Sequence, residues 1–561
     1  MLQNNTVAVI GGGVSGLTAG IYALQAGFQA EIYEMNPVLG GECTGWNRQG
    51  YHIDNCIHFL VGCNEGEALN RLWKNVGVLS DEVMLYREPY FYCMEMNGVA
   101  LHLWRDIEKT RAELLSVAPE EEREINLFLE CVKGCECIKP PCEKSPAHMN
   151  PFQFMKMVLQ MKDAGKANSE YGKQTMEEFS NRFKSPYLRA LFGKYFNGNF
   201  IALTFVTSYA FYTSDTVAIP EGGSVGMIGR MKHRFESLGG KIHTRSEVTS
   251  VSVKNGQIDY MTLKNGDEIR AGSFIWAADP YQLFYSMIGE NYLDQNLKAM
   301  YDHPEGYFAN TGYQAAFGIV SDEDISLPEG SVIFPCDAYV AAGEKHDFCG
   351  IRVYNYDDKL FPRGKRVIQC NLLQTAQNYD YWLKLREDKA AYENEKRRIA
   401  RELKKRVEKQ YPALSGKLVL LGTYSPVTFG RWCNAYKGGY MSFNALKGFK
   451  SRYVKSTVKG ISNLYLASQW TQNGGGLPIA AASGKFAAEI LSKNQRKQEK
   501  KMDQTWIKMY EAAKAVLNER RISKYVTCGE VFAAILSKSG KIYTGVCVDT
   551  CSTLGICAER I

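Results

Sequence analysis

A glycine-rich loop between a strand and a helix is the feature that most constrains how this chain folds. Thr6–Ile10 is short, apolar and β-branched, which predicts a buried parallel strand. The next six residues have the spacing G-x-G-x-x-G, with Gly11, Gly13 and Gly16 at the three key places. Leu17–Ala26 is small and apolar, and it predicts a helix. Strand, loop and helix in this order indicate a Rossmann-like unit that binds a dinucleotide.

The residues of the loop have separate physical tasks. Gly11 permits a tight turn, Gly13 lets the backbone approach a pyrophosphate, and Gly16 allows the helix to pack closely on the strand. The N–H groups at the start of the helix, from Val14 onward, attract phosphate. A second strand then ends at Glu34, about 20 residues after the loop, where a carboxylate can accept hydrogen bonds from a ribose.

Later segments extend this pattern beyond the first loop. Gly40-Gly41 follows Glu34 closely, and Gly50–Asp54 predicts a turn into a third strand. Ile219–Pro280 predicts a helix followed by strands, with hairpin turns at Asn255-Gly256 and Asn265-Gly266. Two adjacent glycines at positions 40 and 41 would let a loop pass beside an extended cofactor.

A third glycine segment lies near the end of this region. Leu464–Ala467 predicts a strand, Gly474–Gly476 a loop, and Leu477–Leu491 a helix rich in small residues. Small residues let a helix N-terminus lie against a flat ring, where its dipole stabilises negative charge on a reduced flavin.

In this order the segments resemble the phytoene desaturase, carotenoid isomerase and retinol saturase-like flavoproteins of the amine-oxidase superfamily. The resemblance covers roughly residues 5–491 and implies FAD as the cofactor. Val248 is implied to bind the adenine through its backbone, and Glu42 stands where many members carry Arg. The implied and derived cofactor residues are Gly11, Gly13, Val14, Ser15, Gly16, Glu34, Met35, Gly41, Glu42, Val248, Gly475, Gly476 and Leu477.

The predicted fold class is α/β, with a discontinuous cofactor domain that combines a parallel sheet with a β-meander. An α+β substrate domain and a small α/β tail complete the chain, because 561 residues are too many for one core of about 150 residues. The expected boundaries are 1–70, 215–290 and 450–491 for the cofactor domain, 71–214 and 291–449 for the substrate domain, 492–503 for a charged linker, and 504–561 for the tail.

The resemblance implies an apolar small-molecule substrate, such as a polyene, isoprenoid or lipid. The implied reaction is hydride transfer between a C–C or C=C bond and flavin N5, with redox-neutral isomerisation as an alternative. Aromatic residues are frequent in the substrate region, for example Tyr90–Tyr92, Tyr195-Phe196 and Phe205–Tyr212, and most of them are expected in the core. Pro151–Leu159 predicts either a buried helix, which is favoured, or a membrane-dipping entrance.

Several other residues stay open as candidates, and none of them is assigned a catalytic role. His52 and His58 flank the third strand, and either can face the flavin. Arg431 can orient an anionic group or form a surface ion pair. The cysteines at 131, 135, 137 and 142 have no standard metal-ligand spacing, so no metal is expected there.

Composition limits the surroundings in which the protein works. A net charge of +7 over 561 residues does not indicate nucleic-acid binding. Residues 1–5 do not resemble a secretory signal and no long apolar run follows, so a cytoplasmic location with free thiols is the default expectation. Basic stretches at 447–459 and 493–501 are either solvated surfaces or contacts with an anionic membrane. Nothing in the sequence specifies an oligomeric state.

The tail resembles the first half of a cytidine deaminase domain. A helix over Gln504–Glu519 and strands over Cys528–Leu536 and Ile542–Val548 are predicted. In such a domain Cys557 would be a zinc ligand and Glu559 the proton shuttle. One ligand cannot hold a catalytic zinc, so a zinc site is expected only if the missing deaminase half is supplied. A zinc nucleoside deaminase or nucleoside-binding module fused to a flavoprotein stays an alternative, as does a vestigial or docking role for the tail.

Overall fold

The computed structural model describes residues 5–321, 325–362 and 364–550, and the chain divides into two units, residues 1–489 and 490–561. The strands are β1 (Thr6–Ile10), β2 (Gln29–Tyr33), β3 (Gly45–Arg48), β4 (Tyr51–Asp54), β5 (Leu60–Val61), β6 (Leu85–Tyr86), β7 (Tyr90–Met96), β8 (Val99–Trp104), β9 (Val217–Pro220), β10 (Lys241–His243), β11 (Val248–Lys254), β12 (Gln257–Leu263), β13 (Glu268–Ile269), β14 (Ser273–Trp276), β15 (Tyr307–Ala309), β16 (Thr311–Ile319), β17 (Gly330–Ala341), β18 (Glu344–Tyr354), β19 (Val367–Gln374), β20 (Leu418–Tyr424), β21 (Phe443–Ala445), β22 (Thr457–Val458), β23 (Ile461–Leu466), β24 (Arg520–Ser523), β25 (Val526–Leu536) and β26 (Ile542–Thr550). The α-helices are α1 (Val14–Gln25), α2 (Ala68–Asn75), α3 (Ile107–Val117), α4 (Glu122–Cys135), α5 (Pro151–Gln160), α6 (Gly165–Tyr171), α7 (Met176–Ser180), α8 (Pro186–Gly193), α9 (Ala202–Thr213), α10 (Gly223–Ser237), α11 (Pro280–Gln282), α12 (Gln295–Asp302), α13 (Ala376–Leu385), α14 (Lys389–Gln410), α15 (Pro426–Cys433) and α16 (Gly476–Ala515).

A six-stranded sheet forms the centre of the first unit, in the order β10-β2-β1-β14-β23-β22. Its strands are parallel except β22, which pairs antiparallel with β23. Four of the five residues of β1 are buried, as expected for a parallel strand covered on both faces. The α/β fold class with a parallel sheet is therefore confirmed, and the strands come from positions far apart in the chain.

A three-stranded antiparallel meander, β11-β12-β13, follows β10. Asn255 and Gly256 both have positive φ, of 52° and 71°, at the turn between β11 and β12. This is the backbone that an Asn-Gly hairpin turn requires, so the predicted turn is confirmed. The meander packs on the central sheet through a shared apolar core that includes Ile258, Met261 and Trp276.

A second, seven-stranded sheet has the order β20-β16-β19-β18-β17-β7-β8. All nine residues of β16 are buried, because neighbouring strands and helix α14 cover it. Helices α3 to α9 connect β8 to β9 and bring together an aromatic core around Phe128, Phe179 and Phe205. Most of the aromatic residues of this region are thus core, as expected.

Helix α5 does not have the burial that its apolar sequence suggested. The favoured prediction was a buried helix over Pro151–Leu159, but none of the residues of α5 is buried. The helix forms locally, because Asn150 and Gln153 make a capping box and Pro151 occupies the first turn. These caps support the helix locally, and its outer face stays exposed.

The charged linker predicted at 492–503 is helical in the structure. Helix α16 continues through 492–503, where a linker was expected, and through the predicted start of a new helix at Gln504. Residues 485–515 contain no glycine or proline and are rich in Lys, Gln and Glu, which favour a helix. A charged stretch of such residues therefore continues a helix that begins in the apolar segment.

The second unit contains the antiparallel sheet β24-β25-β26 after α16. The predicted strands over Cys528–Leu536 and Ile542–Val548 are found, each slightly longer. Cys557 and Glu559 lie outside the described residues, so the deaminase-like zinc site stays a prediction. Within the described residues, no helix has both the length and the hydropathy that crossing a membrane requires.

Candidate active site

A cavity of about 1160 Å³ lies in the first unit, and the predicted cofactor segments meet on its wall. It opens at the carboxyl ends of β1, β2 and β14, which is where open α/β sheets bind their ligands. Of the predicted cofactor residues, the following line the cavity: Gly11, Gly13, Val14, Ser15, Glu34, Met35, Gly41, Glu42, Val248, Gly475, Gly476 and Leu477. Gly16 does not.

The glycine loop explains why Gly16 is absent from the wall. A β-carbon on Gly16 would meet the backbone of Gly11, so this glycine serves helix-to-strand packing. A β-carbon on Gly13 would meet no protein atom closer than 3.7 Å, so the free space there belongs to the cavity. Gly13 is also the N-cap residue of α1 and has no side chain to cap the first turn. The helix N-terminus therefore offers N–H groups to a phosphate.

Glu34 is held at the end of β2 with its carboxylate fixed. Its Oε2 accepts a 2.7 Å hydrogen bond from the N–H of Gly12, and its Oε1 accepts a 2.8 Å bond from the N–H of Asn36. Burial raises the pKa of this carboxyl, while the backbone hydrogen bonds lower it. Oε1 also accepts a 3.0 Å bond from the side-chain amide of Asn36, so it is Oε2, with one bond, that keeps acceptor capacity toward a ribose in the cavity.

The third glycine segment, Gly474–Gly476, also lines this cavity, although it lies more than 400 residues after the first loop in the sequence. Gly474, Gly475 and Gly476 all have positive φ, and a β-carbon on Gly475 would lie 2.6 Å from the N atom of Ser442. The N–H of Gly476 donates to Oε1 of Gln469 at 2.9 Å. Helix α16 begins at Gly476, so its positive end faces the cavity, as the sequence predicted.

Glu42 is the most unusual residue on the wall. Both of its carboxylate oxygens are buried, and neither has a hydrogen-bond partner with good geometry among the described residues. The thiol of Cys433 lies near enough to lower the pKa of Glu42 slightly, but burial dominates and raises it to about 7. A neutral carboxyl at this position does not oppose a phosphate-bearing cofactor, whereas an ionised one would.

The remaining wall of the cavity is largely aromatic and apolar. Phe91, Tyr195, Phe196 and Phe211 line it, as do Phe59, Phe200, Phe348, Phe429 and Tyr440. The other aromatic residues named from the sequence are buried in the core. The cavity thus has one end suited to a dinucleotide and another suited to an apolar molecule.

His58 lies on the cavity wall, whereas His52 does not. Burial, together with the nearby Arg352 guanidinium, lowers the pKa of His58 to about 3, so its ring is neutral. The carbonyl oxygen of His58 accepts a 3.0 Å hydrogen bond from Arg352, which is itself buried. Nδ1 of His52 instead lies 3.0 Å from Oδ1 of Asn47, on the β3-β4 hairpin.

Two asparagines on the wall were not foreseen from the sequence. Asn310 and Asn371 line the cavity, and Oδ1 of each is buried without a hydrogen-bond partner among the described residues. They are single polar residues in or beside buried strands, and no local motif marks them. They add open hydrogen-bonding capacity toward the occupant of the cavity.

The other candidates lie away from the cavity. Arg431 is exposed in the last turn of α15 and has no ion-pair partner within the described residues. Cys131, Cys135 and Cys142 are buried and Cys137 is half-buried, all as free thiols. Within the described residues, no three His, Cys, Asp or Glu side chains are grouped as metal ligands.

The residues present fit an extended flavin dinucleotide. The cavity combines a helix N-terminus over Gly13, a fixed acceptor at Glu34 and a second helix N-terminus at Gly476. Phosphate, ribose and a reduced flavin ring need these three kinds of group.

The structure resembles solved oxidoreductases of one fold. An oxidoreductase from Methanosarcina mazei superposes with a TM-score of 0.52 at 16% identity, over 86% of this chain and all of that chain. Wild-type putrescine oxidase bound to putrescine superposes with a TM-score of 0.51 at 14% identity, over 87% of this chain and 98% of that one. These likenesses concern the fold.

Curated relatives extend over most of the chain at low identity. The chloroplastic prolycopene isomerase of Daucus carota is 21% identical, over 86% of this chain and 79% of its own length. The 4,4'-diapophytoene desaturase of a Methylomonas species is 21% identical, over 88% of this chain and 97% of its own length. The family model described as flavin containing amine oxidoreductase matches residues 14–297, about half of the chain. The chain therefore belongs to the flavin containing amine oxidoreductase family, and its cofactor is FAD.

Proposed function

We propose that this FAD oxidoreductase acts on a C–C or C=C bond of an apolar polyene or isoprenoid substrate. The observation that carries the proposal is the continuity of one cavity, with the cofactor loop on its wall at one end and Phe91, Phe196, Phe211 and Phe348 on its wall elsewhere. The names of the relatives that cover most of the chain, a diapophytoene desaturase and a prolycopene isomerase, support this substrate class.

When bound, FAD supplies hydride transfer at flavin N5, to or from the substrate. The chain's own contribution is to position the substrate and to exclude water. Aromatic walls hold an apolar chain in place without hydrogen bonds, and they keep the site dry. His58 is neutral, and Glu42 keeps its proton below about pH 7, so neither places a full charge beside an apolar substrate below that pH.

Redox-neutral isomerisation is the second candidate, and the prolycopene isomerase relative favours it. The same cavity suits both reactions, because both bring a polyene against the flavin. The two differ only in whether the product has the same number of hydrogens as the substrate.

The test uses the full-length, FAD-loaded enzyme with linear polyenes of graded unsaturation, under air or with a quinone as electron acceptor. A product that is two hydrogens lighter than the substrate by mass spectrometry, with a red-shifted polyene absorbance, indicates desaturation. Gain of two hydrogens, with reduced flavin supplied, indicates saturation, and an unchanged mass with altered chromatographic retention indicates isomerisation. Turnover of primary amines with release of peroxide, and none of any polyene, would overturn the proposal.

The matched control is a Gly13→Ala enzyme stripped of FAD and assayed without added FAD, because it has the same cavity walls and is expected to bind FAD at least about tenfold more weakly. Polyene conversion by this variant would mean that the observed chemistry does not depend on the flavin.

A further inference from the structure

Helix α5 concentrates exposed apolar side chains to a degree that is not found elsewhere in the described part of the first unit. Phe152, Met155 and Leu159 are 76%, 61% and 62% exposed, and they recur at helical spacing on one face. Phe154 and Val158, at 40% and 47%, extend the same apolar surface. Single exposed apolar residues are ordinary, but five within eight positions mark an interaction site.

The opposite face of the same helix belongs to the cavity. Met157 and, one turn later, Met161 lie on the cavity wall, together with Pro140 and Pro141 from the preceding loop. One short helix therefore separates the cavity from the surroundings, and it is apolar toward both.

Exposed lysines flank this apolar face, alongside two exposed acids, Glu143, which pairs with Arg71, and Asp163. Lys156 on the helix and Lys162 just after it are exposed, and the described residues give neither an ion pair. Lys144 is exposed before the helix and donates to Gln153. Exposed Lys455 comes from another part of the chain, next to Ser456, whose N–H donates a 3.2 Å hydrogen bond to His148.

We propose that helix α5 docks the protein on an anionic lipid bilayer, with its exposed apolar face in the acyl region and these lysines at the headgroups. Met157 and Met161 then form the inner side of an entrance through which an apolar substrate moves from the bilayer into the cavity. The entrance rests on the proposed function, whereas the docking does not.

A bilayer fits this surface better than a second protein does. A ten-residue helix is about 15 Å long, so its exposed half offers only a few hundred Å². A stable protein interface needs about 800 Å² from each partner. Apolar side chains on one helix flanked by lysines are the usual composition of helices that lie in the interface of an anionic membrane.

Flotation of the FAD-loaded, full-length protein with lipid vesicles tests the docking, without any substrate. We expect the protein to float with phosphatidylcholine vesicles that contain phosphatidylglycerol. Binding to phosphatidylcholine alone should be at least tenfold weaker, and high salt should release the protein from anionic vesicles.

A triple variant, Phe152→Gln, Met155→Gln and Leu159→Gln, removes the apolar face. Vesicle binding should fall at least tenfold, while FAD content and the thermal midpoint stay unchanged, because none of the three side chains is buried. The matched control replaces three apolar residues outside α5 by Gln. They are Met84, Val320 and Val340, whose exposed fractions are 57%, 57% and 50%. This control should bind vesicles as the natural sequence does.

A Lys156→Gln, Lys162→Gln variant should lose binding to anionic vesicles and keep the weak binding to neutral ones. The proposal is overturned if the natural protein does not float with anionic vesicles, or if the α5 triple variant floats equally well. It is also overturned if the protein is a dimer in solution that the α5 variant dissociates. A failed polyene assay with intact vesicle binding would remove the proposed function and leave the docking in place.

Discussion

Nη2 of Arg352 lies 2.8 Å from Oε1 of Glu88, and the two side chains are only 2% and 9% exposed. The same guanidinium donates to the hydroxyl of Ser331 and to the carbonyl oxygen of His58. A buried ion pair is costly to break, because the remaining charge stays in a medium that does not solvate it. This pair therefore fixes the part of the cavity wall on which His58 lies.

Replacing Arg352 by Met should lower the stability of the protein by about 3 kcal/mol or more, because the carboxylate of Glu88 loses its buried partner. The shift of the urea midpoint measures this effect. Lys409→Met is the matched control, since Lys409 and Asp337 form a pair at 2.7 Å with side chains 71% and 74% exposed. The control should change stability by less than about 1 kcal/mol. Equal effects of the two substitutions would contradict the role given to Arg352.

The second and third glycines of the loop, Gly13 and Gly16, should respond differently to the same substitution. Gly13→Ala should fold normally, because φ of −74° suits alanine and no protein atom lies closer than 3.7 Å to the new methyl group. It should bind FAD at least about tenfold more weakly, since the methyl group occupies cofactor space. Titration of each apoprotein with FAD, followed by flavin fluorescence, measures the affinity.

Gly16→Ala should instead damage the fold. Its β-carbon would lie 1.9 Å from the carbonyl oxygen of Gly11, and overpacking of this kind costs about 2 kcal/mol or more. The thermal midpoint of the apoprotein should fall for Gly16→Ala and not for Gly13→Ala. A Gly13→Ala protein with normal FAD affinity would contradict this division of roles.

Glu42 should make the stability of the apoprotein depend on pH. Burial raises its pKa from 4.5 to about 7, so the folded state keeps a proton that the unfolded chain has already released. Stability from this group is complete below about pH 4.5 and is lost as pH rises toward 7, by about 3 kcal/mol in total.

Glu42→Gln keeps the shape of the side chain and removes the ionisation. Urea unfolding of the apoprotein across this pH range should therefore show a smaller decline for the variant than for the natural sequence. Parallel curves for the two proteins would mean that Glu42 does not hold a proton in the folded state.

Gln469 should support FAD binding through the third glycine segment. Its Oε1 accepts from the N–H of Gly476, and its Nε2 donates to the carbonyl oxygen of Tyr440. Gln469→Leu should weaken FAD binding about fivefold, because it removes a hydrogen bond that positions the loop. Such a bond contributes about 1 kcal/mol. Gln377→Leu at an exposed helix position is the control and should leave the affinity unchanged in the same fluorescence titration.

Local sequence was sufficient to predict the strand β1, the glycine loop and the Asn255-Gly256 turn. In each of these the residues themselves restrict the backbone, through β-branching, missing side chains or positive φ. The segment around Gly476 was recognisable because it repeats a strand followed by a loop and a helix, and Glu34 because it ends the next strand about 20 residues after the first loop.

The exposure of α5 was not predictable, because helical periodicity shows where apolar residues lie on a helix and not whether a neighbour covers them. The continuation of α16 through 492–503 was missed because charge was taken as a sign of a linker, although Lys, Gln and Glu favour helices. Asn310 and Asn371 meet the cavity only through tertiary packing, which no local pattern encodes.

The pairing of β1 with β14, and of β14 with β23, has a consequence for how the protein is made. On the ribosome, the first glycine loop emerges hundreds of residues before the segment at Gly476 that completes its cradle. A nascent chain therefore cannot retain flavin until nearly all of the first unit has been synthesised. Cofactor capture is then among the last events of biogenesis, and a chain cut short before Gly476 would carry the nucleotide motif without the means to hold the nucleotide.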